Sequence, residues 1–297
     1  MQNEKQYKSV IPPIGSHPFA KRLRIAAVMS VFNEEDVIFH SVKYLIDQGI
    51  RVHILDNGST DSTRGIIEGF RSPLISISDV DTGGKLNMVL LAAKRREVLK
   101  ELEKDNDWVM VVDDDEYWES PYEGVSLREA IELVHRTGKY NCIGLREFLF
   151  LPMSDEAPHV PGDDVRKYYD HYRTKPLGAP IWGSHIHPEH DRIWKTALYR
   201  AGSGLTLTSI HRIDPEEKIR IFPDLFIIRH YRFREPESTR VRLIKDRKER
   251  LSADDIERKY CKYYLKINED SPMTFDHKIG ITKRWSEFKK LPRPENL

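Results

Sequence analysis

The sequence predicts an α/β domain built on a mostly parallel central sheet flanked by helices, followed by a helical C-terminal extension. Three observations carry that expectation. Short apolar, β-rich runs alternate with helix-like segments from Arg24 to Trp118, each run ends in polar residues, and a charged, helix-patterned stretch covers 238–266.

Pro12, Pro13, Gly15 and Pro18 occur without periodicity, so residues 1–23 read as an N-terminal arm lying on the domain. The first strand is IAAVMSVF (25–32). A helix from about Asp36 to Gln48 follows, closed by Gly49. VHIL (52–55) is the second strand, with a short helix after Ser59, and LISIS (74–78) is the third. A long helix from about Leu86 to Glu103 then leads to the fourth strand, WVMVV (108–112). Strands joined through helices imply right-handed crossovers and a parallel sheet covered on both faces. Residues 24–120 are thus a nucleotide-binding type of half-domain.

A helix at 126–137 stopped by Gly138, a strand in NCIGLREFLF (141–150), and strand-like pieces at 193–199, 204–211 and 225–233 make residues 121–235 a second half. Between them, the irregular stretch 151–192 is long enough to be a lid or binding segment. Residues 236–297 form the extension, a charged helix and a tail.

Composition narrows the function. Lys and Arg number 48 against 47 Asp and Glu, so no global field draws the chain to nucleic acid or to an anionic surface. No run reaches the roughly 20 apolar residues of a spanning helix, and MQNEKQYKSV lacks a signal-peptide core. The expectation is a cytoplasmic protein without a membrane span, compatible with peripheral attachment at the inner membrane face. Cys142 and Cys261 lie far apart, which suggests buried thiols rather than a disulfide or zinc ribbon.

In open α/β sheets, ligands bind at the carboxyl ends of the strands. VVDDDEYW places Asp113, Asp114, Asp115 and Glu116 at such an end. Packed together without a cation they would repel, and a divalent ion resolves the conflict; oxygen-only ligands favour Mg²⁺ or Mn²⁺. The competing reading is an exposed acidic turn. Asp56, at the end of the second strand, can accept from a base N–H or a ribose hydroxyl, and Gly58 permits the turn after it. Asn57, Ser59 and Asp61 read as turn and cap residues.

In this order and spacing, FNEED, LDNGSTDST, GGKLN and VVDDDE resemble glycosyltransferase family 2, whose fold is GT-A. The likeness is to short bacterial members with a DxDE motif and a later His-Tyr-Arg, here HYRFR (230–234). The resemblance implies that Phe32, Asn33 and Glu35 edge the base pocket, that Asp56 binds the base, and that Lys85 and Asn87 lie near the diphosphate or ribose. Asp113 approaches ribose and metal, Asp115 is the principal metal ligand, and Asp114 and Glu116 belong to the nucleotide-sugar contacts. It divides 24–235 into a nucleotide-binding half (24–120) and an acceptor-binding half (121–235).

The implied reaction is transfer from a nucleotide-diphosphate sugar, with UDP the commonest nucleotide, to a hydroxyl of a carbohydrate or lipid-linked acceptor, with inversion, as in polysaccharide biosynthesis. Many relatives carry a late Glu-Asp pair that supplies the base. None occurs in 140–235, which leaves Asp191 and Glu189 as the candidates, ahead of Glu147 and Asp163.

His230 should lie at a strand end near the cleft and complete the coordination of Mn²⁺, with Arg232 and Arg234 meeting the diphosphate. The basic residues of 238–266, Arg242 and Arg247 among them, read as a solvated helix face. Three rival readings remain: a haloacid-dehalogenase-like phosphatase acting through DDDEY, a zinc-dependent hydrolase acting through His185, His187 and His190, and a non-catalytic sugar-nucleotide-binding module.

Overall fold

The computed structural model describes residues 22–173, 195–209, 212–258, 261–277 and 282–295. The first half follows the expected alternation: β1 (Ile25–Val31), α1 (Ile38–Asp47), β2 (Arg51–Asp56), α2 (Thr63–Gly69), β3 (Ile75–Asp79), α3 (Met88–Leu102) and β4 (Trp108–Val111). β1 pairs in parallel with both β2 and β4, and β2 with β3. β1 and β4 are near-continuous apolar runs because both faces of the sheet are covered, and every residue of β4 is buried. Each large side chain sequestered this way contributes on the order of 1.5–3 kcal/mol.

Beyond β4 the sheet becomes mixed. β5 (Glu116–Glu119), α4 (Leu127–Thr137), β6 (Cys142–Phe150), β7 (His171–Arg173), β8 (Lys195–Arg200), β9 (Thr206–Ser209), β10 (Arg212–Asp214) and β11 (Ile221–His230) follow in the chain. The long sheet path runs from β7 through β6, β8, β4, β1 and β2 to β3, with β8 antiparallel to both β4 and β6. β11 runs parallel to β6 and antiparallel to β5. β9 and β10 form a separate ribbon.

α4 shows why these boundaries were readable. Ser126 and Glu129 make a reciprocal capping box at its start, and Gly138 ends it at φ 66°, a left-handed conformation that costs glycine least.

The C-terminal extension departs from the single charged helix expected over 238–266. It breaks into α5 (Pro236–Val241), a π-helical segment Arg242–Lys248, and α6 (Ala253–Glu257). Asp255 caps the start of α3 by accepting from the Met88 N–H at 2.8 Å. The last residues are not a loose tail. β12 (Lys283–Arg284) pairs with β7, and Trp285 and Phe288 stack on each other and meet the Phe148 ring edge-on.

Candidate active site

The ends of β1, β2 and β4 open on one cleft, lined by Phe32, Asn57 and all four residues Asp113–Glu116. His230 at the end of β11 and Arg232 just beyond it also line the cleft, and the π-helical segment adds Arg242 and Arg247. The sequence brings these groups together because β5 turns the chain back immediately after the acidic loop. β5 pairs antiparallel with β11, and His230 lies opposite Glu116.

The repulsion expected among the acidic residues is relieved by the protein's own cations. Lys195, with no exposure to solvent, places Nζ 2.7 Å from Asp113 Oδ2 and 2.7 Å from Glu116 Oε2. Burial opposes its charge, but Asp113 and Glu116 outweigh burial and raise its pKa. Arg95, anchored on Ser30 Oγ at 2.8 Å, reaches Asp113 Oδ1 at 3.3 Å. Asp115 meets His230 Nε2 at 3.3 Å and Arg242 Nη1 at 3.6 Å. Burial pushes Asp115 upward, yet His230 and then Arg242 hold it well below the usual carboxylate range. Asp114 goes the other way: burial, then Glu34 and Asp115, raise it well above the usual carboxylate range.

His230 stands where the strand pattern put it, at the end of β11. Nδ1 lies 2.5 Å from Glu147 Oε1 while Nε2 faces Asp115, so both ring nitrogens meet carboxylates. Burial opposes protonation, but Asp115 and Glu147 raise its pKa to about 10. In the metal-free protein the ring is thus held as an imidazolium, which has no lone pair to give a cation until it loses that proton.

Other expected contacts divide. Phe32 lines the cleft beneath the Arg250 guanidinium. Asp56 is buried at the end of β2, accepts from the Ser59 N–H at 2.9 Å, and lies 3.6 Å from Arg64 Nη1. Asn33 adopts a left-handed turn at φ 52°, and its Oδ1 accepts from the Thr60 N–H at 2.8 Å. Glu35 accepts from the Ser62 N–H at 2.9 Å. These two side chains tie the β1 loop to the β2 loop rather than lining the cleft. Lys85 is exposed, and Asn87 caps α3 by accepting from the Leu90 N–H. Arg232 lines the cleft, whereas Arg234 is wholly buried against Glu34 at 2.6 Å and Asp36 at 2.7 Å. Arg234 is therefore a framework residue and not a diphosphate contact. Asp191, Glu189 and the three histidines of GSHIHPEHD lie outside the described residues.

Sequence reasoning missed Lys195 and Arg95, and read Arg242 and Arg247 as a solvated helix face where they line the cleft. Lys195 offered one signal, a charge opening an apolar run (KTALY) that pairs into the sheet. Such a charge is buried only when paired.

Asp113 and Asp115 fit a divalent ion in donor chemistry, being oxygen-only ligands on one loop of one cleft, and Asp113 keeps a quarter of its side chain accessible. Among the described residues, no three His, Cys, Asp or Glu side chains converge to cage an ion unaided. Substrate oxygens and water would have to complete the shell. Among the described residues, no helix is long and apolar enough to cross a membrane.

No curated protein sequence matches the chain. Solved structures similar in part include glucosyl-3-phosphoglycerate synthase from Mycobacterium tuberculosis in complex with phosphoglyceric acid. It is 15% identical, with 43% of this chain and 44% of that one covered and a TM-score of 0.27. The same enzyme with Mn²⁺, uridine diphosphate and glucosyl-3-phosphoglycerate is 16% identical over 36% of this chain and 42% of that one, with a TM-score of 0.23. The chain spans less than half the length of these structures. A sequence model described as "Glycosyl transferase family 2" matches residues 26–147, the stretch that carries β1 to β4 and the acidic loop. Residues 26–147 thus match the glycosyl transferase family 2 model, on a mixed α/β sheet flanked by helices.

Proposed function

We propose that the protein is a glycosyltransferase that moves a sugar from a nucleotide-diphosphate donor, UDP in the first instance, to an acceptor hydroxyl with inversion. The observation that carries this reading is the delivery of four consecutive acidic residues, from the end of β4, into the cleft onto which β1 and β2 also open. In such sheets that crevice is the nucleotide site.

In this reading Asp56 accepts from the base, Phe32 packs against it, and Asp113 and Asp115 hold Mn²⁺ or Mg²⁺. When bound, the ion supplies Lewis-acid stabilisation of the charge that grows on the departing diphosphate. The chain's own contribution is to fix the acidic loop: Lys195 clamps Asp113 to Glu116, and His230 orients Asp115. Preorganised charge of this kind needs no rearrangement as the transition state forms. Asp191, or Glu189, takes the proton of the acceptor hydroxyl. The acceptor is a carbohydrate or lipid-linked sugar, and the setting is polysaccharide biosynthesis in the cytoplasm or at the inner membrane face.

Thermal-shift screening against UDP-, GDP-, dTDP- and CMP-sugars with and without Mn²⁺, followed by assay of nucleotide release, tests the proposal. Stabilisation by one nucleotide series with metal-dependent release is expected. Turnover of p-nitrophenyl phosphate without any nucleotide-sugar binding would overturn it in favour of a phosphatase.

A further inference from the structure

Beside the acidic loop the cleft carries a cationic wall that comes from outside the matched family segment. In RLIKDRK the chain winds as a π-helix, and the Glu249 N–H donates to the Ile244 carbonyl, five residues back, at 2.9 Å. At that pitch residues five apart return to one side, whereas an α-helix would turn them about 140° apart. Arg242 and Arg247 are five apart, and both line the cleft. Single π-turns recur at functional sites because they re-aim side chains at some cost to the helix.

Arg242 is poorly served by the protein. It is 6% exposed, and its Nη1 lies 3.6 Å from Asp115 and 3.9 Å from Glu34, both beyond good hydrogen-bond length. Its Nη2 donates to the Arg232 carbonyl, and its Nε is buried without a partner. Arg247 donates to Glu34 Oε1 at 2.7 Å, and its Nε is likewise unpartnered. Glu34 already takes Arg234 on its other oxygen, so one carboxylate faces three guanidiniums. A buried guanidinium in this state is stabilised by an anion that accepts from its fork.

We propose that Arg242 and Arg247 form a subsite for phosphoryl oxygens, set by the π-helical segment on the wall of the cleft beside Asp115. The ligand is the diphosphate of the nucleotide donor or a phosphate carried by the acceptor. Naming either one rests on the glycosyltransferase reading; the anion subsite itself does not.

Isothermal titration of the metal-free protein with UDP, uridine, inorganic pyrophosphate and glucose 6-phosphate tests it, comparing wild type with Arg242→Gln. Affinity for the phosphorylated ligands should fall about tenfold or more while uridine binding is unchanged. Loss for UDP and pyrophosphate alone identifies the donor diphosphate; loss for glucose 6-phosphate alone identifies an acceptor phosphate. Should Arg242→Gln fail to fold, Arg242→Lys keeps the charge and loses the fork, and should weaken the same ligands several-fold. Binding of UDP, pyrophosphate and glucose 6-phosphate that is in every case equal in wild type and variants overturns the subsite and leaves the glycosyltransferase reading intact. Arg242-dependent binding of pyrophosphate without any UDP or uridine binding supports the subsite and removes the nucleotide reading. Wild type that binds none of the phosphorylated ligands overturns the subsite outright.

Discussion

The Nζ of Lys195 lies 2.7 Å from Asp113 Oδ2, in a pocket where the lysine has no exposure and Glu116 takes up a second bond. Lys195→Met would leave two carboxylates facing each other around an apolar side chain. Removing one partner of a buried ion pair costs about 3–5 kcal/mol. Urea denaturation should show a loss of that size together with loss of nucleotide-sugar turnover. A change below about 1 kcal/mol would mean that water solvates the acidic residues after the substitution, and the clamp would not be structural.

The same pairing sets an expectation for metal removal. Because Lys195, Arg95, His230 and Arg242 already face the acidic loop, the fold needs no ion to neutralise it. Melting in EDTA should stay within about 2 °C of the untreated protein, since a 1 kcal/mol loss moves a domain of this size by roughly 2–4 °C. Mn²⁺ at a hundredfold excess over its dissociation constant should add about 2.7 kcal/mol. Unfolding on chelation would show that the ion is part of the fold.

The four parallel strands were legible because each combines an apolar run with a polar end, and periodicity reports burial on both faces. α1, α3 and α4 ended close to their expected boundaries for the same local reasons, such as Gly138 and the Ser126–Glu129 box. The mixed second half was harder. Whether β8 runs antiparallel to β4 depends on partners far away in the sequence, and β6 alternates poorly because it is buried between β8, β7 and β11.

In the site, the acidic loop was visible as a run of charge, but its counter-charges were not. Lys195 comes 82 residues after Asp113, and Arg242 reads as one of many basic residues on an α-helical wheel. Only the π-helical winding turns Arg242 and Arg247 inward together.

Asp56 sits at the end of β2 with 4% exposure, beside the cleft-lining Asn57. Asp56→Ala should weaken uridine and UDP alike. A lost hydrogen bond to a charged acceptor costs about 1.5–3 kcal/mol, or roughly ten- to a hundredfold in affinity. Titration calorimetry checks it, and equal affinities for wild type and variant would remove Asp56 from the base pocket.

The base has two kinds of candidate. Glu147 is engaged by His230 at 2.5 Å, and Asp163 is tied to Lys167 at 2.9 Å and to Tyr168, which holds its carboxyl below the usual range. Neither is poised to take a proton, which favours Asp191. Asp191→Asn should lower transfer at least a hundredfold, the usual contribution of general base catalysis, without changing donor affinity. A comparable loss in Glu189→Gln alone would move the assignment by two residues. Loss in Glu147→Gln with Asp191→Asn unaffected would place the base on β6.

The contact between His230 and Asp115 has a pH signature in the metal-free protein. The ring faces Asp115 and Glu147 directly, with Arg242 nearby on the π-helical segment, and its pKa is raised to about 10 from an ordinary 6.5. A group raised on folding contributes stability that is fully present below the unfolded pKa and is lost as pH rises through the folded one. The window is therefore about pH 6.5 to 10, with the protein more stable at the acid side of it. Asp115→Asn removes the partner that raises the pKa of His230 most, so the ring should titrate closer to its ordinary value. In EDTA, the fall in unfolding free energy between pH 7 and pH 9.5, read by urea titration, should be shallower in Asp115→Asn than in wild type, on the order of 1 kcal/mol less per unit of pKa lost. Imidazole NMR signals give an independent reading: in wild type His230 should remain protonated at neutral pH. An imidazole that titrates near 6.5 in both proteins would show that Asp115 does not hold the ring as an imidazolium, and would return His230 to candidacy as a metal ligand.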